Sequence, residues 1–253
     1  MVESSQRKII HRIQTTTKPV TKNHRKSGLR IILGRQTTTL RIPWIVRIGD
    51  GECENFCGGA LISNDLVLTA AHCHSDVNSL VTLGDTDCFE YDEGEITIKV
   101  KQWFDHDDYR LADNSKYALN DISIVMLAKK VKFSKAIQPI CLPSKLSLED
   151  LENKKATAAG WGDHEVNETR GEDWNSNLHE VSLEILPSEQ CEILNEDIEY
   201  KGAYNSSNTL CVGDSDYING RSLKAKSIWS GDSGGTNIIH HIKRNVMNNI
   251  STF

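Results

Sequence analysis

Short apolar runs broken by turn-forming residues fill the chain from Ile31 onward. They are IPWIVRI (42–48), ALISNDLVLTAAHC (60–73), SLVTLG (79–84), EITIKVKQW (95–103), ISIVML (122–127) and EVSLEIL (180–186). Several alternate apolar and polar positions with period two and are rich in Val, Ile and Thr, the pattern of a pleated, half-buried strand. Many short strands at this spacing predict an all-β barrel or sandwich. Two helical pieces are expected: a single turn over Ala70–His74, and a helix around Pro187–Leu194 with Ser188 as its cap. Residues 163–177 and 212–226 read as long polar surface loops. Residues 1–30 lack the apolar runs and read as a polar, threonine-rich head.

Composition narrows this picture. A chain of 253 residues suits one large domain or two small ones, and 38% hydrophobic against 25% charged residues is enough to bury a core. No run of 18 apolar residues exists, so no membrane-spanning helix is expected. The net charge of −6 hides an asymmetry: residues 1–30 carry +7 and the remainder −13. A body so acidic argues against nucleic acid as partner. The basic head is either a solvated tail or an arm for nucleic acid or membrane. Cys53, Cys57, Cys73, Cys88, Cys141, Cys191 and Cys211 form no CxxC pair, which excludes zinc-site spacing. Scattered cysteines fit an oxidising compartment, and their odd number leaves one thiol without an internal partner. Sequons at Asn167, Asn205 and Asn249 are compatible with secretion. The first residues, MVESSQRKIIHRIQ, lack the apolar segment of a signal peptide, so an extracellular location implies a start that lies elsewhere.

Three stretches carry chemistry. In Gly231-Asp232-Ser233-Gly234-Gly235 a serine is flanked by glycines, which allow a tight turn and aim backbone N–H groups at a developing oxyanion. A serine hydroxyl needs a base to become a nucleophile. Leu68-Thr69-Ala70-Ala71-His72-Cys73 offers a histidine at the end of an apolar strand. A Cys57–Cys73 bridge would pin that turn, with a loop worth roughly 3 kcal/mol. Asn120-Asp121-Ile122-Ser123-Ile124-Val125 opens an apolar strand with an acid, which is tolerable only if hydrogen-bonded, and an imidazole N–H is a suitable donor. Each stretch has an ordinary reading as a turn or strand cap. Together they give the order His72, Asp121, Ser233, the order of one of the known Ser-His-Asp triads.

With these motifs the chain resembles the trypsin/chymotrypsin-type serine peptidases. The likeness extends to Cys57-Gly58-Gly59-Ala60-Leu61-Ile62-Ser63, Gln138-Pro139-Ile140-Cys141-Leu142-Pro143, Ala159-Gly160-Trp161-Gly162 and Leu210-Cys211-Val212-Gly213. Arg30-Ile31-Ile32-Leu33-Gly34, followed by Pro43-Trp44, resembles the family's activation site. The resemblance implies an all-β fold of two packed six-stranded antiparallel barrels over residues 31–253, with 1–30 as head or pro-segment. It implies Ser233 as nucleophile, His72 as general base, Asp121 as its orienting acid, and the N–H groups of Gly231 and Ser233 as the oxyanion hole. Cleavage after Arg30 would free the Ile31 amine to pair with Asp232. It also implies disulfides Cys57–Cys73, Cys191–Cys211 and Cys53–Cys88, leaving Cys141 over.

Departures from the family pattern are as informative. Trp229 stands where the family places a pocket-rim cysteine, and Thr236 where it has proline. Resemblance is expected to end near residue 235. The last eighteen residues show no Ser-Trp-Gly strand or closing helix, so the second barrel is expected to be incomplete and substrate binding weak. The pocket-floor position falls on Ser227, which suggests an apolar or aromatic preference. Asp85, Asp87, Glu90, Asp92 and Glu95 crowd one loop, matching a calcium loop of trypsin-like members or forming a solvated acidic loop. No cofactor is required for the chemistry. The expected function is a secreted serine endopeptidase, activated from a zymogen by another protease and acting on proteins or peptides. The alternative is a catalytically impaired homologue that binds a protein partner.

Overall fold

The computed structural model describes residues 34–51, 53, 56–75, 78–111, 118–142, 150–161, 176–194, 210–214 and 236–239. Six strands close a barrel in the first half of the chain. They are β2 (Ile45–Gly49), β3 (Cys57–Leu61), β4 (Leu66–Thr69), β5 (Leu80–Leu83), β6 (Ile96–Asp105) and β9 (Ser123–Leu127), in the order β2-β3-β4-β9-β6-β5. All of its pairings are antiparallel. Gly84, at φ +80°, makes the turn out of β5, a left-handed conformation that glycine adopts without steric penalty. A short hairpin of β7 (Arg110–Leu111) and β8 (Ala118–Leu119) lies outside the barrel.

Strand β6 shows how pattern becomes geometry. Ile96, Ile98 and Val100 are half-buried against the core, while Thr97, Lys99 and Lys101 face water. Opposite β9, Val100 pairs with Leu127 and Gln102 with Met126, so Lys101 is an extra residue, a β-bulge. Alternation then restarts in the other phase, and Trp103 and Asp105 become the half-buried positions.

The second half forms a five-stranded sheet among the described residues. Strand β11 (His179–Ile185) pairs with β10 (Lys155–Gly160) on one side, and with β1 (Arg35–Gln36) and β12 (Val212–Gly213) on the other. Strand β13 (Thr236–Ile239) pairs with β10, from Ala159↔Thr236 to Ala156↔Ile239. The all-β reading is correct, and the apolar runs named above all contain strands. Strands β1, β10, β12 and β13 carry weaker signals. Strand β10, KATAAG, is made of small residues that are poor strand formers by propensity, and pairing on both edges overrides that. Strand β13 falls beyond residue 235, where the sequence suggests that family-type structure stops.

The two helical pieces are present. Ala71–Cys73 forms a 3₁₀ turn, and α1 spans Ser188–Leu194. Ser188 is the first residue of α1 and its N–H donates to Glu152. The core is built on Ile42, Ile45, Val46, Leu61, Val67, Val81, Leu83 and Val125 of the barrel. Ala159, Trp161 and Leu178 of the second half belong to the same buried cluster, so the two halves share apolar packing. Cys53–Cys88, Cys57–Cys73 and Cys191–Cys211 are bonded, with Cα atoms 5.5, 6.0 and 6.2 Å apart, and Cys141 is a free, exposed thiol.

Candidate active site

Strand register brings His72 and Asp121 together. Strands β4 and β9 run antiparallel with Thr69 opposite Ser123. His72 lies three residues beyond Thr69, and Asp121 two residues before Ser123, so both emerge at one rim of the barrel. Thr69 anchors the end of β4 by donating its hydroxyl to the Gly58 carbonyl at 2.8 Å. The 3₁₀ turn then presents His72, and the Cys57–Cys73 bridge ties that turn to β3. On the other side Asn120 takes φ +53°, a left-handed conformation that asparagine tolerates better than most residues. Its side-chain amide donates to the Asp108 carbonyl at 3.1 Å, which fixes the corner from which Asp121 projects.

Both carboxylate oxygens of Asp121 hold His72. Oδ1 accepts the His72 backbone N–H at 2.8 Å and Oδ2 lies 2.6 Å from His72 Nδ1. Because a carboxylate only accepts, Nδ1 carries the proton and Nε2 is the basic nitrogen of the neutral ring. Burial works to raise the Asp121 pKa, but the hydrogen bonds from the His72 ring, the His72 N–H and the Ala71 N–H outweigh it. The carboxyl is held below its ordinary range. Tyr109 sits beside this acid, and its hydroxyl is pushed up, first by burial and then by the charges of Asp121 and Asp105.

Of the other residues singled out in the sequence, Ser233, Gly231, Asp232, Ser227, Arg30 and Ile31 lie outside the described residues. Strand β13 begins three residues after Ser233 and approaches β3, the strand whose Cys57 is bonded beside His72.

The acidic loop is organised from within. Asp92 Oδ2 accepts the N–H groups of Thr86 and Asp87, at 2.5 and 3.2 Å. Asp87 accepts from the Phe89 N–H at 3.1 Å and from the Asn177 amide at 3.2 Å. Glu95 accepts weakly from the Asp92 N–H, and Glu90 donates its N–H to the Asp87 carbonyl. Asp85 is buried and its Oδ2 takes two bonds from Arg47, at 2.7 and 3.0 Å. The Asp85 pKa is raised to about 6: burial drives the rise, Arg47 offsets part of it, and Glu95 and Asp92 add to it. Among the described residues no three of these carboxylates converge within 4.8 Å. Arg47 supplies positive charge to Asp85 Oδ2, while Asp85 Oδ1 is buried without a hydrogen-bond partner among the described residues.

Sequence reasoning passed over two clusters. Glu180, buried on β11, accepts from Arg35, Arg41 and Thr37 and fastens the segment 35–41 to the second sheet. Burial works to raise its pKa, and these donors outweigh burial and hold it below the usual range. Nothing local marks Glu180, because a glutamate in a strand ordinarily faces water. The second cluster is His74, Asp105, Ser123 and Trp103, one step from the His72–Asp121 pair.

The family model for trypsin matches residues 31–244, nine residues past Gly235, where the sequence reading ends the resemblance. The chain belongs to the trypsin family of serine proteases. Granzyme B(G,H) of Mus musculus is 31% identical over 212 residues, which are 83% of this chain and 76% of the granzyme. Ovochymase of Halocynthia roretzi is 32% identical over 205 residues, and ovochymase-2 of Mus musculus 30% over 231. The matched stretches cover 76% and 88% of this chain but 12% and 34% of those two longer relatives. Among solved structures, mouse neuropsin, a serine protease expressed in the limbic system of the brain, matches with a TM-score of 0.66 at 25% identity. That match covers 84% of each chain. No helix among the described residues is long and apolar enough to cross a membrane.

Proposed function

We propose that this chain is a serine endopeptidase, made as a zymogen and working outside the cytosol on proteins or peptides. The observation that carries the reading is the two-point grip of Asp121 on His72 at the barrel rim. It fixes the imidazole in the tautomer whose Nε2 accepts a proton. Membership of the trypsin family supports Ser233 as the group that gives that proton. In the proposed reaction Ser233 Oγ bonds to the scissile carbonyl carbon while its proton moves to His72 Nε2. The tetrahedral oxyanion is held by the N–H groups of Gly231 and Ser233. The C–N bond breaks as His72 returns the proton to the amine, and water repeats the sequence to release the acid. Removing one oxyanion donor costs about 10²–10³ in rate. Three disulfides fit an oxidising compartment.

Activation follows the same logic. Cleavage after Arg30, by a protease that cuts at basic residues, separates residues 1–30, which contain no cysteine, from the peptidase domain. The Ile31 amine then pairs with Asp232, and Ser227 sets an apolar or aromatic preference. The test is trypsin treatment, N-terminal sequencing for Ile-Ile-Leu-Gly, and labelling with a fluorophosphonate probe. Labelling that requires cleavage and vanishes in Ser233→Ala supports the peptidase. No labelling of a chain correctly cut and folded would turn the reading toward a silent homologue that binds a protein partner.

A further inference from the structure

We propose that Asp105 is a positioning residue that ties the turn carrying His72 to the strand carrying Asp121. The inference rests on the peptidase reading and adds to it a residue outside the triad.

Asp105 has two oxygens and two donors. Its Oδ2 lies 2.6 Å from His74 Nδ1, and its Oδ1 accepts the Ser123 hydroxyl at 2.7 Å. Each donor belongs to one half of the dyad. His74 is two residues past His72, and its N–H donates to the Ala71 carbonyl at 3.0 Å, closing the 3₁₀ turn. Ser123 is two residues past Asp121 and starts β9. Asp105 itself ends β6 and pairs with Ser123 in the ladder. One carboxylate therefore spans the three chain segments that meet at this rim.

The surroundings make the link rigid. The Trp103 indole stacks on the His74 ring, with centroids 4.8 Å apart and planes 18° from parallel. Trp103 and Asp105 both reach this position because the bulge at Lys101 resets the alternation of β6. Ser123 is 1% exposed, so its hydroxyl must be satisfied inside the protein and has no access as a nucleophile. The His74–Asp105–Ser123 line is thus a strut, not a second triad. A dyad hydrogen bond of 2.6 Å between two different loops needs its two backbones held in register, and small displacements of catalytic groups are expensive in rate.

Asparagine at 105 offers one acceptor for two donors, and alanine offers none. The experiment has two arms. In the inactive Ser233→Ala background, the low-field proton resonance of His72 Nδ1, assigned by its loss in His72→Phe, reports the dyad directly. Asp105→Asn should broaden and shift it, and Asp105→Ala should do so more strongly. In the chain cleaved after Arg30, kcat should fall roughly tenfold with KM within twofold. Combining Asp105→Asn with His74→Phe should add little further loss, because both break the same strut. Should Asp105→Ala fail to fold, Asp105→Asn carries both readouts. An unchanged His72 resonance together with wild-type kcat overturns the positioning role. Failure of the wild type to label after cleavage overturns the peptidase reading instead, and the resonance arm still decides the role of Asp105.

Discussion

At the scale of single residues, buried charge decides most outcomes. Asp121→Asn keeps the shape but reverses the hydrogen-bond sense at His72 Nδ1. In the Ser-His-Asp template that change lowers kcat about 10⁴-fold, and steady-state assays of the cleaved chain should show a loss of the same order. Arg47 and Asp85 form a pair with side chains 4% and 1% exposed. Arg47→Met leaves the acid buried without its cation, which should cost about 3–5 kcal/mol in urea unfolding at pH 8. The pH dependence has a definite sign. Asp85 is already raised to about 6 in the folded protein, above its unfolded value, so the native state binds the extra proton between those two values. Loss of Arg47 strengthens that tendency, and the penalty of the substitution should be smaller at pH 5 than at pH 8. An equal penalty at both values would mean that Asp85 is not ionised in the native protein.

At the scale of elements, the joints carry the function. Glu180 is the peg that holds residues 35–41, the segment following the proposed activation site, against β11. Its folded pKa is lowered, so it contributes stability above its unfolded value of about 4.3 and loses it as pH falls through the folded value. The stability gap between wild type and Glu180→Gln should therefore be full at pH 7 and shrink progressively on acidification below about pH 4.5. A gap that persists at pH 2 would assign the effect to packing. The Cys57–Cys73 bridge closes a 16-residue separation under the histidine turn, and replacing both with alanine should cost about 3 kcal/mol by chain entropy. Strand β13 completes the outer edge of β10, and truncation after Gly235 should expose that edge and lower the melting temperature measured by circular dichroism.

For the molecule as a whole, the closed barrel and the five-stranded sheet share one buried cluster through Ala159, Trp161 and Leu178, with Phe56 packed edge-on to Trp161. A single cooperative transition is expected, with near-ultraviolet and far-ultraviolet signals falling together. The acidic loop has its own internal order and its own cation in Arg47. Millimolar calcium should accordingly leave the melting temperature unchanged and give no saturable heat in calorimetry. Saturable binding would mean that Asp85, Asp87, Asp92 and Glu95 rearrange around the ion.

The alternating runs of Val, Ile and Thr determined the strands of the barrel, because period-two burial is a local property that each segment carries by itself. The motif residues around His72 and Asp121 were legible for a related reason, since each side chain sits at the end of a strand with a strong pattern. Their contact was legible only through family resemblance. In physical terms it arises from the β4–β9 register, which places Thr69 opposite Ser123, 54 positions away. Strand β10 depends on neighbours more than on propensity, so tertiary pairing decided it. Glu180 and Asp105 are the clearest cases. As letters they are an acid in a strand and an acid at a strand end. Two exposed arginines closing over a buried carboxylate make the first a clasp, and one extra residue in β6 makes the second a strut. Long-range hydrogen bonds of this kind leave no periodic trace, because the chain meets its partner only after both have folded.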